Sequence, residues 1–215
     1  MSEQGRLITF EGGEGGGKST QIRRLATSLA EAGIDVVTTR EPGGTAGAEA
    51  IRSLVTEGTA DRWAPLTETL LFLAARHDHV SRLIEPSINA GRWVLCDRFI
   101  DSTRVYQGLA GSLGLDLIDR LHATIIEDAT PDLTLLLDVP VDIGLARRRG
   151  AGEMNRFDQM ATQFHQTVRS GFLDLAAAEP GRFAIIDAGA VEDDVAATVE
   201  RVLIDRLGLH SLAGC

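Results

Sequence analysis

The sequence predicts an α/β fold: a five-stranded parallel sheet with helices on both faces. Three observations predict it. Short apolar runs alternate with segments of helical periodicity, the pattern of parallel strands joined by right-handed crossovers. One run, residues 132–139 (DLTLLLDV), is almost continuously apolar, as in a strand covered on both faces. A glycine-rich turn, GGEGGGKS, falls between a strand-like and a helix-like segment.

Residues 6–12 (RLITFEG) read as the first strand. Residues 18–32 form a helix, because Ile22, Leu25, Ala26 and Leu29 recur at helical spacing and Gly33 stops it. Residues 34–40 (IDVVTTR) are the second strand, followed by the turn-rich EPGGT and a helix over 46–56. A long helical region spans about 65–90. Pro65 suits its first turn, and Pro86 should kink or interrupt it. Residues 92–97 (RWVLCD) are the third strand, with helical pieces near 102–108 and 115–128 to follow. After the fourth strand come a helix, the arginine-rich 146–158 and a helix to about 178. Residues 182–188 (RFAIIDA) are the fifth strand, and an amphipathic helix over 191–207 closes the pattern. The whole chain, 1–215, reads as one domain. In such a sheet, ligands bind beyond the carboxyl ends of the strands.

Composition narrows the function. No apolar run approaches the roughly 20 residues of a membrane span. The first residues lack the basic start and apolar stretch of a signal peptide, so the expected compartment is the cytoplasm. The formal net charge of −10 argues against nucleic acid as a partner. Cys96 and Cys215 form no disulfide framework or zinc pattern, and the five histidines form no metal pattern. His77 and His79 read as surface or hydrogen-bonding residues. The 21 basic residues comprise 20 arginines and a single lysine, Lys18, which falls inside GGGKST.

Gly12 to Ser19 match GxxxxGK[ST], with a strand before and a helix after. This makes the fold P-loop NTPase-like. Backbone N–H groups of Gly12, Gly13, Glu14, Gly15, Gly16 and Gly17 would turn around phosphates, joined by the helix N-terminus near Thr20. Lys18 would reach the β and γ phosphates of ATP, and Ser19 would ligate Mg²⁺. A GTPase would need an Asn-Lys-x-Asp element, which the single lysine precludes. Phe72 and Arg76 lie four apart on one helix face, and a flat ring with a donor fork suits a pyrimidine; core packing is the alternative for Phe72. Asp97-Arg98 ends the third strand, either as ligand groups or as a structural ion pair.

FEGGEGGGKST, TREPGGT, LLFLAARHDHV, CDRFIDSTRVYQG, PDLTLLLDV and NRFD occur in the order found in bacterial thymidylate kinases, and the chain resembles that family over nearly its whole length. The resemblance implies Mg²⁺-dependent transfer of the γ-phosphoryl group from ATP to dTMP, in a homodimer. It implies that Phe72 stacks on thymine, that Arg76 hydrogen-bonds the base, and that Arg98 and Arg40 hold the acceptor phosphate. Asp97 would orient Arg98 or bind Mg²⁺ through water, and Glu41 would orient Arg40. Thr103 and Gln107 would supply polar contacts beside Ser102, and Tyr106 would occupy the place of a ribose 2′-hydroxyl. Arg147, Arg148, Arg149 and Arg156 resemble a LID, about 146–158, that closes over the triphosphate; Arg147, Arg149 and Arg156 are its candidate catalytic residues. Some relatives carry an arginine in the phosphate loop instead. Here that position is Gly15, so the chain resembles the type whose LID supplies the arginines. Glu14, in similar proteins, faces the sugar 3′-hydroxyl of the acceptor. Two other readings stay open: a kinase for another nucleoside monophosphate, and a nucleotide-binding switch without chemistry.

Overall fold

Five parallel strands build the sheet that the alternation predicts. The computed structural model describes residues 5–59, 61–126, 129–150, 157–158 and 160–209. The strands are β1 (Leu7–Glu11), β2 (Val36–Arg40), β3 (Trp93–Asp97), β4 (Leu133–Asp138) and β5 (Phe183–Asp187), in the spatial order β2-β3-β1-β4-β5. Phe10 pairs with Asp97 on one side of β1, and Glu11 pairs with Leu136 on the other. β1 and β4 are buried almost throughout, as strands covered on both faces must be, whereas β2 and β5 are only partly covered.

Side chains alternate across each strand and so divide the core. Ile8 and Phe10 pack with Leu25 and Leu29 of α1 (Lys18–Glu31) and with Val199 and Leu203 of α9 (Glu192–Leu207). Leu7, on the opposite face, joins Val94, Cys96, Ile84 and Ile118. A third cluster gathers Val105, Tyr106, Leu136 and Phe172 against α8 (Thr162–Ala178).

The α-helical winding of the long region is interrupted just before Pro86. α3 (Pro65–His79) does not stop near Pro86. It passes through a π-helical stretch, Val80–Ile84, into α4 (Glu85–Asn89), and Pro86 sits in the first turn of α4. Proline has no N–H to donate, and α-helical hydrogen bonding gives way to π winding just before it. A second π-helical stretch, Arg104–Ala110, continues α5 (Ile100–Thr103) and is followed by α6 (Leu115–Ile125). Within it Val105, Tyr106, Gln107 and Gly108 are all buried, which a surface α-helix with one apolar stripe would not allow.

α2 (Ala46–Thr56) is capped by Thr45, whose hydroxyl accepts from the Ala48 N–H. α7 (Val141–Gly150) carries Arg147, Arg148 and Arg149 in its last turn, where cations suit the helix dipole. The first part of the expected LID is therefore helical. Residues 151–156, and with them Arg156, lie outside the described residues, as does Cys215.

Each strand ends on a charged residue at the same edge: Glu11, Arg40, Asp97, Asp138 and Asp187. The site is built there.

Candidate active site

The phosphate loop joins β1 to α1. Its N-cap, Gly17, is left-handed and offers no side-chain cap, and the first turn holds no acid. The leading N–H groups of α1 are thus left for an anion. Gly15 has φ 70°, and a Cβ there would overlap the Gly144 carbonyl of α7. Only glycine fits, so the bare position in the loop has a steric cause. Lys18 Nζ arches over the loop, donating to the carbonyls of Gly12 at 3.2 Å and Gly13 at 2.8 Å. Burial, with Arg98 nearby, lowers its pKa.

Ser19 Oγ donates to Asp97 Oδ2 at 2.7 Å. A hydroxyl and a carboxylate side by side at the loop are hard oxygen ligands of the kind Mg²⁺ takes, so the donor set fits that ion. Asp97 and Arg98 do not form the structural pair that was one reading of the strand end. Arg98 turns away at φ 68°, an uncommon backbone for a side chain of its size. Its Nη1 donates to Gly12 O and Ser102 Oγ, both at 3.1 Å, and its Nη2 donates to Glu14 Oε1 at 3.0 Å. Beneath it lies Glu11, fully buried, which accepts from the N–H groups of Phe99 (2.7 Å) and Ser102 (3.1 Å) and from Ser102 Oγ (2.6 Å). Burial, reinforced by Asp101, pushes the Glu11 carboxyl up to about 7.

Glu14 also accepts from Tyr106 Oη at 2.9 Å. Burial alone would raise its pKa. Arg98, Lys18 and the tyrosine hydroxyl overcome that and hold it down at about 2.

Two cavities open here. One is the cleft over the loop, reached by residues from Glu14 to Thr20 and by Arg40, Asp97 and Arg148. The other is a slot lined by Phe72, Arg76, Phe99, Ser102, Thr103, Tyr106, Gln107 and Phe157. Glu14, Glu41, Arg52 and Arg98 line both.

Phe72 belongs to the slot, 6.3 Å from the Phe157 ring, while its neighbour Leu73 takes the core position. Arg76 is 2% exposed. Its Nε donates to Glu41 at 2.7 Å, and its Nη2 donates to Phe99 O (3.1 Å) and Thr103 Oγ1 (3.0 Å). Its Nη1 is buried without a partner among the described residues. Gln107 donates to Glu68 at 2.9 Å. The Tyr106 ring is wedged among Phe157, Phe164 and Phe172, with centroids 5.8, 5.9 and 6.3 Å away.

Several expectations change. Arg40 is half-exposed at the rim of the cleft and is oriented by Glu49 (3.1 Å), not by Glu41. Successive residues leaving a strand point to opposite sides, so Glu41 faces inward to Arg76 and His79. His79 is accordingly buried, and of the two expectations for it, surface or hydrogen-bonding, the second holds. Arg147 donates to the carbonyls of Ala188 (2.7 Å) and Gly189 (3.4 Å) after β5, and Arg149 is exposed. Of the three only Arg148 lines the cleft, ion-paired to Asp158 at 3.0 Å. A helix turns about 100° per residue, so three consecutive arginines cannot share one direction.

Arg52 was missed. It donates to Pro42 O at 2.6 Å, and burial, with Arg40 nearby, lowers its pKa. The sequence held a signal: Arg52 sits on the face of α2 that buries Ala48 and Val55. Glu11 was missed because it reads only as the end of a strand.

The cleft over the loop and the flat slot adjoin, sharing four lining residues. Fold and site together define a phosphate-loop nucleoside monophosphate kinase. A family model described as thymidylate kinase matches residues 10–199. The chain belongs to the thymidylate kinase family. It is 52% identical to the thymidylate kinase of Caulobacter vibrioides, over 96% of this chain and 99% of that one. It is also 52% identical to that of Ruegeria pomeroyi, over 96% and 98%. A crystal structure of thymidylate kinase from Ehrlichia chaffeensis superposes with a TM-score of 0.77 at 36% identity, covering 93% of this chain and 99% of that one.

Proposed function

We propose that this protein transfers the γ-phosphoryl group of ATP to dTMP, giving ADP and dTDP. The observation that carries the acceptor is Arg76 Nη1: a buried donor, without a partner among the described residues, on a side chain that lines the slot beside Phe72. A pyrimidine with an acceptor oxygen satisfies both groups at once, through stacking and a hydrogen bond.

The acceptor is already an anion, so the reaction needs no strong general base. It needs alignment and charge. Loop N–H groups and Lys18 hold the donor phosphates. Arg98 and Arg52, lining both cavities, hold the acceptor phosphate in line with the donor, with Arg40 at the rim. Arg148, in place of Arg147 or Arg149, brings cationic charge from α7. Ser19 and Asp97 would hold Mg²⁺, which supplies neutralising charge to the donor phosphates when bound. Glu14, beside Tyr106, accepts from the sugar 3′-hydroxyl, and Thr103 and Gln107 border the base. Residues 146–158 act as a LID within a single domain. The reading also carries a homodimer and a cytoplasmic location. Light scattering and fractionation test these. No helix among the described residues is long and apolar enough to cross a membrane.

A panel of nucleoside monophosphates, scored for ADP release, tests the proposal. dTMP should give the highest kcat/KM; faster turnover of AMP or GMP would refute it. Lys18→Ala should lower kcat by about 10²- to 10³-fold, the scale of losing one preorganised donor at the transferring group, with the circular dichroism spectrum unchanged.

A further inference from the structure

Arg76 is held on three sides. Glu41 takes Nε, the Phe99 carbonyl and Thr103 hydroxyl take Nη2, and the guanidinium lies 5.2 Å from the centre of the Phe99 ring. What fixes Glu41 is His79, fully buried, whose Nδ1 lies 3.0 Å from Glu41 Oε1. A carboxylate shared with an arginine can only accept, so Nδ1 carries the proton. His79 Nε2 lies 2.7 Å from the Thr39 hydroxyl on β2, and either of the two can donate. A chain of hydrogen bonds thus runs from Thr39 through His79 and Glu41 to Arg76, anchored on the sheet and ending at Arg76 Nη1, which has no partner among the described residues. Neither Oε of Glu41 is left over: each serves one neighbour.

We propose that Glu41 and His79 are positioning residues for pyrimidine selection, fixing the aim of Arg76 Nη1 into the base slot. The inference rests on the dTMP reading. Thymine and uracil present an acceptor oxygen at C4, whereas cytosine presents an amino donor there. If it meets the base at the C4 edge, a rigid, donor-only arginine bonds the first two and is left buried and unpaired against the third. If the arginine is free to pivot, that discrimination falls. Selection between thymine and uracil, which share the oxygen, does not depend on the aim.

The test uses the purified full-length enzyme with saturating ATP and dTMP, dUMP or dCMP as acceptor. Variants are Glu41→Gln, His79→Gln and His79→Asn. The asparagine amide nitrogen occupies the place of Nδ1 and keeps the bond to Glu41; that of glutamine corresponds to Nε2 and loses it. Glu41→Gln and His79→Gln should raise the KM for dTMP about tenfold and lower the dTMP-to-dCMP preference about tenfold, the size of one good hydrogen bond. Their kcat, KM for ATP and dTMP-to-dUMP preference should stay near the parent's, and His79→Asn should behave like the parent. Folded variants with unchanged KM and preferences would overturn the proposal. So would a KM for ATP that rises with that for dTMP, or equal damage from asparagine and glutamine, since both mark a merely structural role. If Glu41→Gln does not fold, the two His79 variants decide. A parent enzyme that fails to use dTMP overturns the acceptor reading itself, and that is measured first.

Discussion

A carboxylate inside a phosphate loop should repel the anions the loop binds. Glu14 escapes this because Arg98 and Tyr106 hold it toward the slot, its charge spent on a cation and a hydroxyl. Tyr106 in turn cannot swing, being locked by Glu14 and three aromatic neighbours. A ring so fixed excludes by shape, so Tyr106→Ala should raise turnover of ribo-TMP relative to dTMP by roughly tenfold. An unchanged ratio would count against steric exclusion. Glu11 offers a different measurement. Its folded pKa of about 7 lies above the ordinary 4.5, so between those values the folded state binds more protons than the unfolded one. The Glu11 contribution to stability should therefore be fully present below about pH 4.5, fall as pH rises toward 7 by up to about 3 kcal/mol, and level off above. Urea denaturation at pH 5 and 8 reads this directly. In Glu11→Gln the difference should shrink; an equal pH dependence in that variant would assign it to another group.

At the scale of elements, α7 is the part most changed by seeing it folded. Its arginine run was legible as cationic charge near the donor. Which arginine faces the cleft was not, because that depends on how the helix is rotated against its neighbours. Arg148→Ala should lower kcat by about 10³-fold, the low end for an arginine acting on a transferring phosphoryl group, with the KM for dTMP little changed. Arg149→Ala should stay within about threefold of the parent. Equal losses in the two would mean diffuse charge and no defined contact. The helices on the acceptor side were legible in position but not in winding. Periodicity detects apolar stripes, and a π turn leaves no stripe of its own. Phe72 and Arg76 were found because an intact α-helical turn separates them; the inward course of Glu41 was hidden because EPGGT reads only as a turn.

Across the whole molecule, the parallel sheet and its ligand edge were legible in the alternation of strand and helix. The order β2-β3-β1-β4-β5 was not, since an apolar pattern marks which faces are buried and not which strands are neighbours. One buried cluster ties the substrate side to the far strands. Asp101, fully buried, accepts from Arg182 at 2.6 and 2.9 Å, and Arg104 reaches Asp101 (3.4 Å), Asp119 (2.8 Å) and Glu179 (2.6 Å). Asp101→Ala should cost about 3 kcal/mol in a denaturant titration, the low end for breaking a buried pair because Glu179 still holds Arg182. A loss below about 1 kcal/mol would mean that the cluster is dispensable. The meeting of Gly15 with Gly144 reaches furthest. Here backbone lies against backbone. Adding a side chain at either position displaces the helix that carries Arg148. The loop and the arginine helix are therefore mechanically joined: any side chain at position 15 acts on the cleft from two directions, through the loop itself and through the seat of α7.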